Sequence, residues 1–86
     1  MIDSKNAISR ASAYFTEVFP QAKQVQLEEI ELSEDRRYWL VTFSFPKPEL
    51  TIFGALVANP NRDYKTVKVD AATGEPVGVK IRALTS

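Results

Sequence analysis

The sequence predicts an α+β fold in which one N-terminal helix packs on a four-stranded antiparallel meander sheet (α-β-β-β-β). An early stretch has apolar residues three and four positions apart, which is the spacing of one helix face. After Pro20 the apolar residues recur at every second position in further segments, which is the period of strands. Because short polar turns separate most of these segments, consecutive strands are expected to pair as hairpins and the helix to cover their apolar face.

The predicted helix runs from Asp3 to Phe19. We expect Asp3 or Ser4 to cap its first turn by accepting a hydrogen bond from a backbone N–H, and Pro20 cannot continue the helical hydrogen bonding. The alanines of its apolar stripe let the helix approach the sheet closely, and the larger members supply volume. This stripe consists of Ala7, Ile8, Ala11, Tyr14, Phe15, Val18 and Phe19.

The first two strands are predicted over residues 25–32 and 37–45, with a polar turn between them. Alternation in the first strand slips at Glu28 and Glu29, and this slip predicts a bulge. In the second strand, alternation places one set of large apolar side chains together, and we expect this set to lie beneath the helix as core. The set consists of Trp39, Val41, Phe43 and Phe45.

The third and fourth strands are predicted over residues 64–70 and 76–82. Val77, Val79 and Ile81 of the last strand are expected to face inward. The loop between these strands reads as a hairpin in which Gly74 takes the left-handed backbone conformation. Residues 48–63 fit a strand, one or two helical turns or a loop equally well.

Composition limits the classes of function. The 86 residues, 44 % of them hydrophobic, suffice for one domain over residues 1–86. Cysteine and histidine are both absent, which excludes disulfides, thiolate nucleophiles, Cys/His metal sites and Ser-His triads. We therefore expect a protein that is not an enzyme, with no catalytic residue, no cofactor and no metal. The N-terminus lacks the pattern of a secretory signal, and no apolar run approaches the ~20 residues of a membrane span, so a cytoplasmic location is expected.

The segment from Tyr64 to Glu75 ends a strand in Asp-Ala-Ala-Thr-Gly-Glu and leads into a further strand. Together with the small residues of the helix and the aromatic strand around Trp39, it resembles a PepSY-type domain. This resemblance covers most of the chain. It implies a helix packed on an antiparallel sheet, and a binding or inhibitory module, such as a peptidase inhibitor or regulator, rather than a catalyst.

The mostly apolar stretch from Leu50 to Val57 is the first candidate for a binding surface. It lies between prolines and outside the regular meander, so something has to bury it. It is predicted either to plug one end of the core or to contact a partner protein or a second copy of the chain. The candidate interaction residues are Leu50, Ile52, Phe53, Leu56 and Val57.

Two groups of charged residues are further candidate sites. The acidic group is expected to be the solvated edge of a strand, which blocks sheet-to-sheet aggregation, rather than an acid–base pair or a cation site; it comprises Glu28, Glu29, Glu31, Glu34 and Asp35. A basic sheet face with tyrosines suits single-stranded nucleic acid, although eleven basic and eleven acidic residues overall favour an ordinary solvated face. Its candidate residues are Tyr38, Tyr64, Lys68, Lys80 and Arg82.

The sequence therefore predicts a small non-catalytic binding or regulatory domain that acts through protein–protein contact. The contact would be made by the stretch from Leu50 to Val57 or by strand addition at an exposed sheet edge. The alternatives are a structural homodimer with no separate ligand, and a single-stranded nucleic-acid binder that uses the basic face. The expected partner is another protein or a second copy of the chain, with no membrane and no metal involved.

Overall fold

The computed structural model describes residues 1–46 and 62–81 of the chain. One helix, α1 (Ser4–Val18), precedes four strands: β1 (Gln26–Leu32), β2 (Tyr38–Pro46), β3 (Arg62–Asp70) and β4 (Pro76–Ile81). The strands form one sheet in the order β1-β2-β3-β4, and every neighbouring pair is antiparallel. The predicted α+β meander is confirmed.

Helix α1 begins and ends where its sequence indicates. The Asp3 carboxylate accepts a hydrogen bond from the backbone N–H of Asn6 at 2.8 Å, so Asp3 is the N-cap. At the other end the N–H of Phe19 still bonds to the carbonyl oxygen of Phe15, and Pro20 follows. Ala7, Ala11 and Phe15 form the buried line along the helix, and the two small alanines allow close approach to the sheet.

The core lies between α1 and one face of the sheet, which we call the inner face. Phe15 occupies its centre, with its ring centroid 5.1 Å from that of Phe43 and 5.7 Å from that of Phe45. Trp39 is only half-buried but packs against this cluster, as expected from its place on the same strand face. The buried residues of the cluster are Ala11, Phe15, Val41, Phe43, Phe45, Val67 and Val69.

The two edge strands, β1 and β4, each carry a bulge. In β1 the register with β2 shifts between Leu27 and Glu29, so Glu28 is the additional residue, as the slip in alternation predicted. In β4 the register with β3 shifts so that Lys68 lies opposite Gly78 and Val69 opposite Pro76. The expectation that Val77 faces inward is wrong, because this second bulge leaves the side chain 54 % exposed.

The β3–β4 turn has the predicted conformation. The Asp70 carboxylate accepts hydrogen bonds from the N–H groups of Ala72 and Thr73, at 2.8 and 3.0 Å. Gly74 has a φ of 82°, in the left-handed region, and its N–H bonds to the Asp70 carbonyl oxygen. The Asp-x-x-Thr-Gly pattern is thus explained by turn chemistry, because each polar group of the pattern satisfies a local backbone group.

Candidate interaction face

The face of the sheet opposite the helix, which we call the outer face, carries alternating side chains of all four strands. The register places Glu31, Leu40, Lys68 and Gly78 in one row across the sheet. The next row contains Thr42, Thr66 and Lys80 from β2, β3 and β4. Since cross-strand partners project to the same side, the outer face is fixed by this register.

Charge divides the outer face into two sides. The acidic side consists of Glu29 and Glu31 on the edge strand β1 with Glu34 and Asp35 in the turn that follows it. The basic side consists of Lys68 on β3 and Lys80 on β4. The polar and apolar side chains of β2, above all Leu40 and Thr42, lie between them.

A groove of about 530 Å³ runs between these two sides. The acidic turn forms one wall and the two lysines form the other, while the side chains of β2 and β3 form the floor. Its lining residues are Ser33, Glu34, Asp35, Tyr38, Leu40, Thr66, Lys68 and Lys80. A ligand in this groove would therefore meet both signs of charge within one short distance.

One wall of the groove is ordered by an interaction between a cation and an aromatic ring. The Nζ atom of Lys68 lies 4.2 Å from the centroid of the Tyr38 ring. Both residues are half-buried, and the attraction between an ammonium group and a ring face at such a distance is about 0.5–1 kcal/mol at exposed sites. One face of the Tyr38 ring is thus occupied by Lys68 and is not free for stacking.

The opposite wall is ordered by the turn between β1 and β2. Asp35 accepts a hydrogen bond from the Ser33 hydroxyl at 2.6 Å and another from the Arg37 backbone N–H at 3.1 Å. These two bonds favour the ionised carboxylate and hold the pKa of Asp35 below its ordinary value. Arg36 has a φ of 62°, which closes the turn. Asp35 therefore contributes an ionised carboxylate to this wall at neutral pH.

At the far end of the outer face, a buried serine joins three strands. The Ser44 hydroxyl donates to the Glu28 carboxylate and accepts from Arg62 Nε at 2.9 Å. Arg62 also donates to the backbone carbonyl oxygens of Ser44 and Gln24, at 3.1 and 3.2 Å. The bulge in β1 places Glu28 for this contact, so one member of the acidic group has a structural role.

This network was not found from the sequence. The sequence pattern of residues 48–63 fits a strand, helical turns or a loop equally well, whereas in the structure Arg62 and Asp63 begin β3, and Arg62 lies opposite Pro46. The signal was the slip at Glu28 together with a serine in an otherwise aromatic strand. Neither feature alone identifies its partner, because Ser44 and Arg62 meet only through the pairing of β2 with β3.

The structure brings together four of the five residues considered for nucleic acid. Tyr38, Tyr64, Lys68 and Lys80 all belong to the outer face, and Arg82 lies outside the described residues. The same face carries the acidic side, whose carboxylates repel phosphate groups. Among residues 1–46 and 62–81 there is no group of three or more carboxylates placed to hold a metal ion.

The apolar candidates from the sequence are not placed by the structure. Leu50, Ile52, Phe53, Leu56 and Val57 all lie outside the described residues. Whether they plug the core or contact a partner stays a prediction.

A second groove, of about 740 Å³, lies at the C-terminal end of α1. Phe19, Phe45 and Pro46 contribute to its apolar lining, and Val18 borders it. Val18 was expected in the buried stripe, but it is 44 % exposed because it lies at this opening. The groove carries less charge than the outer face, with Lys23 as its charged lining residue.

The two edges of the described sheet are unsuited to regular strand addition. Edge strand β1 is bulged at Glu28, and edge strand β4 is bulged at Val77 and begins with Pro76. A bulge interrupts the row of backbone hydrogen-bonding groups that an added strand requires, and a proline lacks an N–H to donate. The outer face is therefore the better supported interaction surface.

Within the described ranges, α1 is too short and too polar to cross a membrane. No protein-family model, no curated protein and no solved structure matches the chain.

Proposed function

We propose that this chain is a small non-catalytic binding domain that contacts another polypeptide through its outer face. The observation that carries the proposal is the division of that face into an acidic and a basic side across one groove. A polypeptide surface offers both signs of charge and apolar groups together, and charge complementarity sets the orientation in which two such surfaces meet.

Ordered groups on both walls of the groove support this proposal. Asp35 is held by Ser33 and Arg37, and Lys68 is held over Tyr38. Side chains that are already ordered lose less conformational entropy when a partner binds. Leu40, which is half-buried between the two walls, supplies an apolar contact in the middle of the surface.

A nucleic-acid ligand is less well supported. A nucleic-acid surface normally carries an excess of basic residues, whereas eleven Lys and Arg are balanced by eleven Asp and Glu in this chain. One face of the Tyr38 ring that would stack on a base is occupied by Lys68.

The family membership and the role suggested by the PepSY resemblance are part of the proposal. A PepSY-type domain would use such a surface to regulate or inhibit another protein, for example a peptidase. The cytoplasmic location expected from the sequence also stays a prediction, and fractionation of cells that express the full chain tests it.

Site-specific photo-crosslinking in cells tests the proposed function. Benzoylphenylalanine is introduced at Glu31 on one side of the outer face, at Lys80 on the other, and at Ala13 on the exposed side of α1 as the matched control. We expect polypeptide adducts from positions 31 and 80 and none from position 13.

Two results would contradict the proposal. The first is the absence of any polypeptide adduct at positions 31 and 80 in chains that fold as judged by circular dichroism. The second is an adduct at both positions that nuclease removes, which would favour the single-stranded nucleic-acid binder instead.

A further inference from the structure

We propose that the partner of the outer face is a second copy of this chain, docked face to face about a two-fold axis that runs parallel to the strands. This inference rests on the proposed function and names its partner. It follows from the arrangement of charge on the outer face, because that arrangement is complementary to itself in one orientation only.

The complementarity is a matter of symmetry. A two-fold axis that lies between the two faces and runs along β2 and β3 brings the acidic side of each copy onto the basic side of the other. An axis across the strands would place acidic side on acidic side and basic on basic. Opposite charges attract and like charges repel at these distances, so the charges select the first axis.

Named residues carry this arrangement. Glu31 lies on β1 at one edge of the sheet, and Lys80 lies on β4 at the other edge; both are exposed. Under this axis the β1 edge of each copy lies over the β4 edge of the other. Glu31 is then one cross-strand row away from Lys80 of the second copy, and the symmetry forms the contact twice. Lys68, beside the axis, faces the partner's β2, which supplies Leu40.

The hydroxyl groups at the centre of the face already have partners within one copy, and Thr42 and Ser44 are buried there. Thr42 and Thr66 lie on the two strands that flank the axis, and their hydroxyl oxygens are 2.9 Å apart in a hydrogen bond. Because these hydroxyls already have a partner, covering them with a second sheet leaves them satisfied. Ser44 in the same strand is bonded in the same way by Glu28 and Arg62.

Overall charge does not oppose the pairing. The formal net charge of the chain at pH 7 is zero, so two copies approach without long-range repulsion. A dimer held by charges at an exposed rim also weakens as salt rises, because ions screen such pairs.

Charge reversal on the two sides separately provides the test. The first variant, Glu31→Lys with Glu34→Lys, reverses two charges on the acidic side of the outer face. The second variant, Lys68→Glu with Lys80→Glu, makes both sides acidic. By sedimentation equilibrium we expect wild type to dimerise, and we expect each variant alone to self-associate at least ~10-fold more weakly. An equimolar mixture is expected to form a heterodimer, because the introduced lysines of one variant then face the introduced glutamates of the other.

Matched controls change the net charge equally but leave the outer face intact. Glu17→Lys with Glu75→Lys corresponds to the first variant, and Lys5→Glu with Lys23→Glu corresponds to the second; all four positions are exposed. Both controls are expected to dimerise like wild type. A control that dissociates like the outer-face variants would attribute the effect to net charge and overturn the inference.

Each of the remaining outcomes either supports or overturns the two-fold dimer. A wild type that is monomeric at its highest soluble concentration, or variants that do not pair when mixed, would overturn the two-fold dimer. If the variants fail to fold, the wild-type chain with benzoylphenylalanine at Lys80 replaces them: an adduct to the segment of a second copy that contains Glu31 supports the inference. An adduct to a different protein overturns the inference while leaving the proposed function intact.

Discussion

The indole N–H of Trp39 donates a hydrogen bond to the carbonyl oxygen of Ile2 at 3.1 Å. The N–H of Ile2 bonds in turn to the carbonyl oxygen of Ala71 at 2.8 Å. Ile2, which precedes the N-cap Asp3, is therefore held by the second strand and by the β3–β4 turn at the same time. This explains why Trp39 is half-buried beside the core, because its ring packs on the core cluster while its N–H reaches the start of the chain.

We expect Trp39→Phe to lower the free energy of unfolding by about 1–2 kcal/mol, because the variant keeps an aromatic ring but loses the donor to Ile2. The chain has a single tryptophan, so urea unfolding has to be followed by circular dichroism rather than by fluorescence. Tyr14→Phe, a change to a half-buried aromatic residue on the helix, is the control. Equal stability of the Trp39 variant and wild type would show that the hydrogen bond contributes nothing.

Gly74→Ala is expected to destabilise the fold by about 1–2 kcal/mol. The added Cβ would meet its nearest neighbours at 3.6 Å, an ordinary contact, so the cost comes from the φ of 82°. The matched control is Gly78→Ala, where no atom lies within 4 Å of the added Cβ and φ is not in the left-handed region. Chemical denaturation of both variants decides, and equal losses would refute the conformational explanation.

Ser44→Ala is expected to lower the free energy of unfolding by about 1–3 kcal/mol, because it leaves Glu28 and Arg62 without the hydroxyl that joins them. Ser9→Ala on the exposed side of the helix is the control and should change stability by no more than about 0.5 kcal/mol. Thermal or urea unfolding measures both. A loss at Ser44 no larger than at Ser9 would mean that the network is not stabilising.

Stability is expected to fall in acid partly through Asp70. The N–H groups of Thr73 and Ala72 bond to its carboxylate and hold its pKa below the ordinary value. A carboxyl whose pKa is lowered by folding stabilises the folded state above its unfolded-state pKa, and this contribution is lost as the pH falls through the folded-state pKa. The loss therefore begins below about pH 4.

Asp70→Asn tests this assignment, because the amide still accepts a hydrogen bond but does not titrate. We expect its unfolding free energy to decline less steeply than that of wild type below about pH 4. Ser9→Ala, at an exposed position on the helix that does not titrate, should follow the wild-type curve. If the unfolding free energies of Asp70→Asn and wild type fall equally steeply in acid, Asp70 does not contribute to the loss.

Local patterns predicted most of the fold. The three-and-four spacing up to Phe19 identified the helix, and Gly74 identified the last turn. The slip at Glu28 and Glu29 identified the first bulge, because two polar residues in succession break a period of two. The second bulge could not be predicted, because Val77, Gly78 and Val79 alternate as in a regular strand. Its position depends on the pairing of β4 with β3.

The outer face was less accessible to sequence reasoning. The acidic and the basic groups are both recognisable in the sequence, but they lie far apart along the chain. Only the strand order shows that they share one face. The contact of Lys68 with Tyr38 likewise depends on the register of β2 with β3. The pairing of the strands, which composition does not reveal, therefore places the two charged groups on one surface.

The two hydrogen bonds at Ile2 have a consequence for folding during synthesis. The groups that hold Ile2 belong to residues 39 and 71, so Ile2 leaves the ribosome before either of the residues that anchor it. Both hydrogen bonds at Ile2 can therefore form only after the β3–β4 turn has been translated. Contacts between residues so distant in sequence also slow folding, so docking of the N-terminus is expected to be a late event on the pathway.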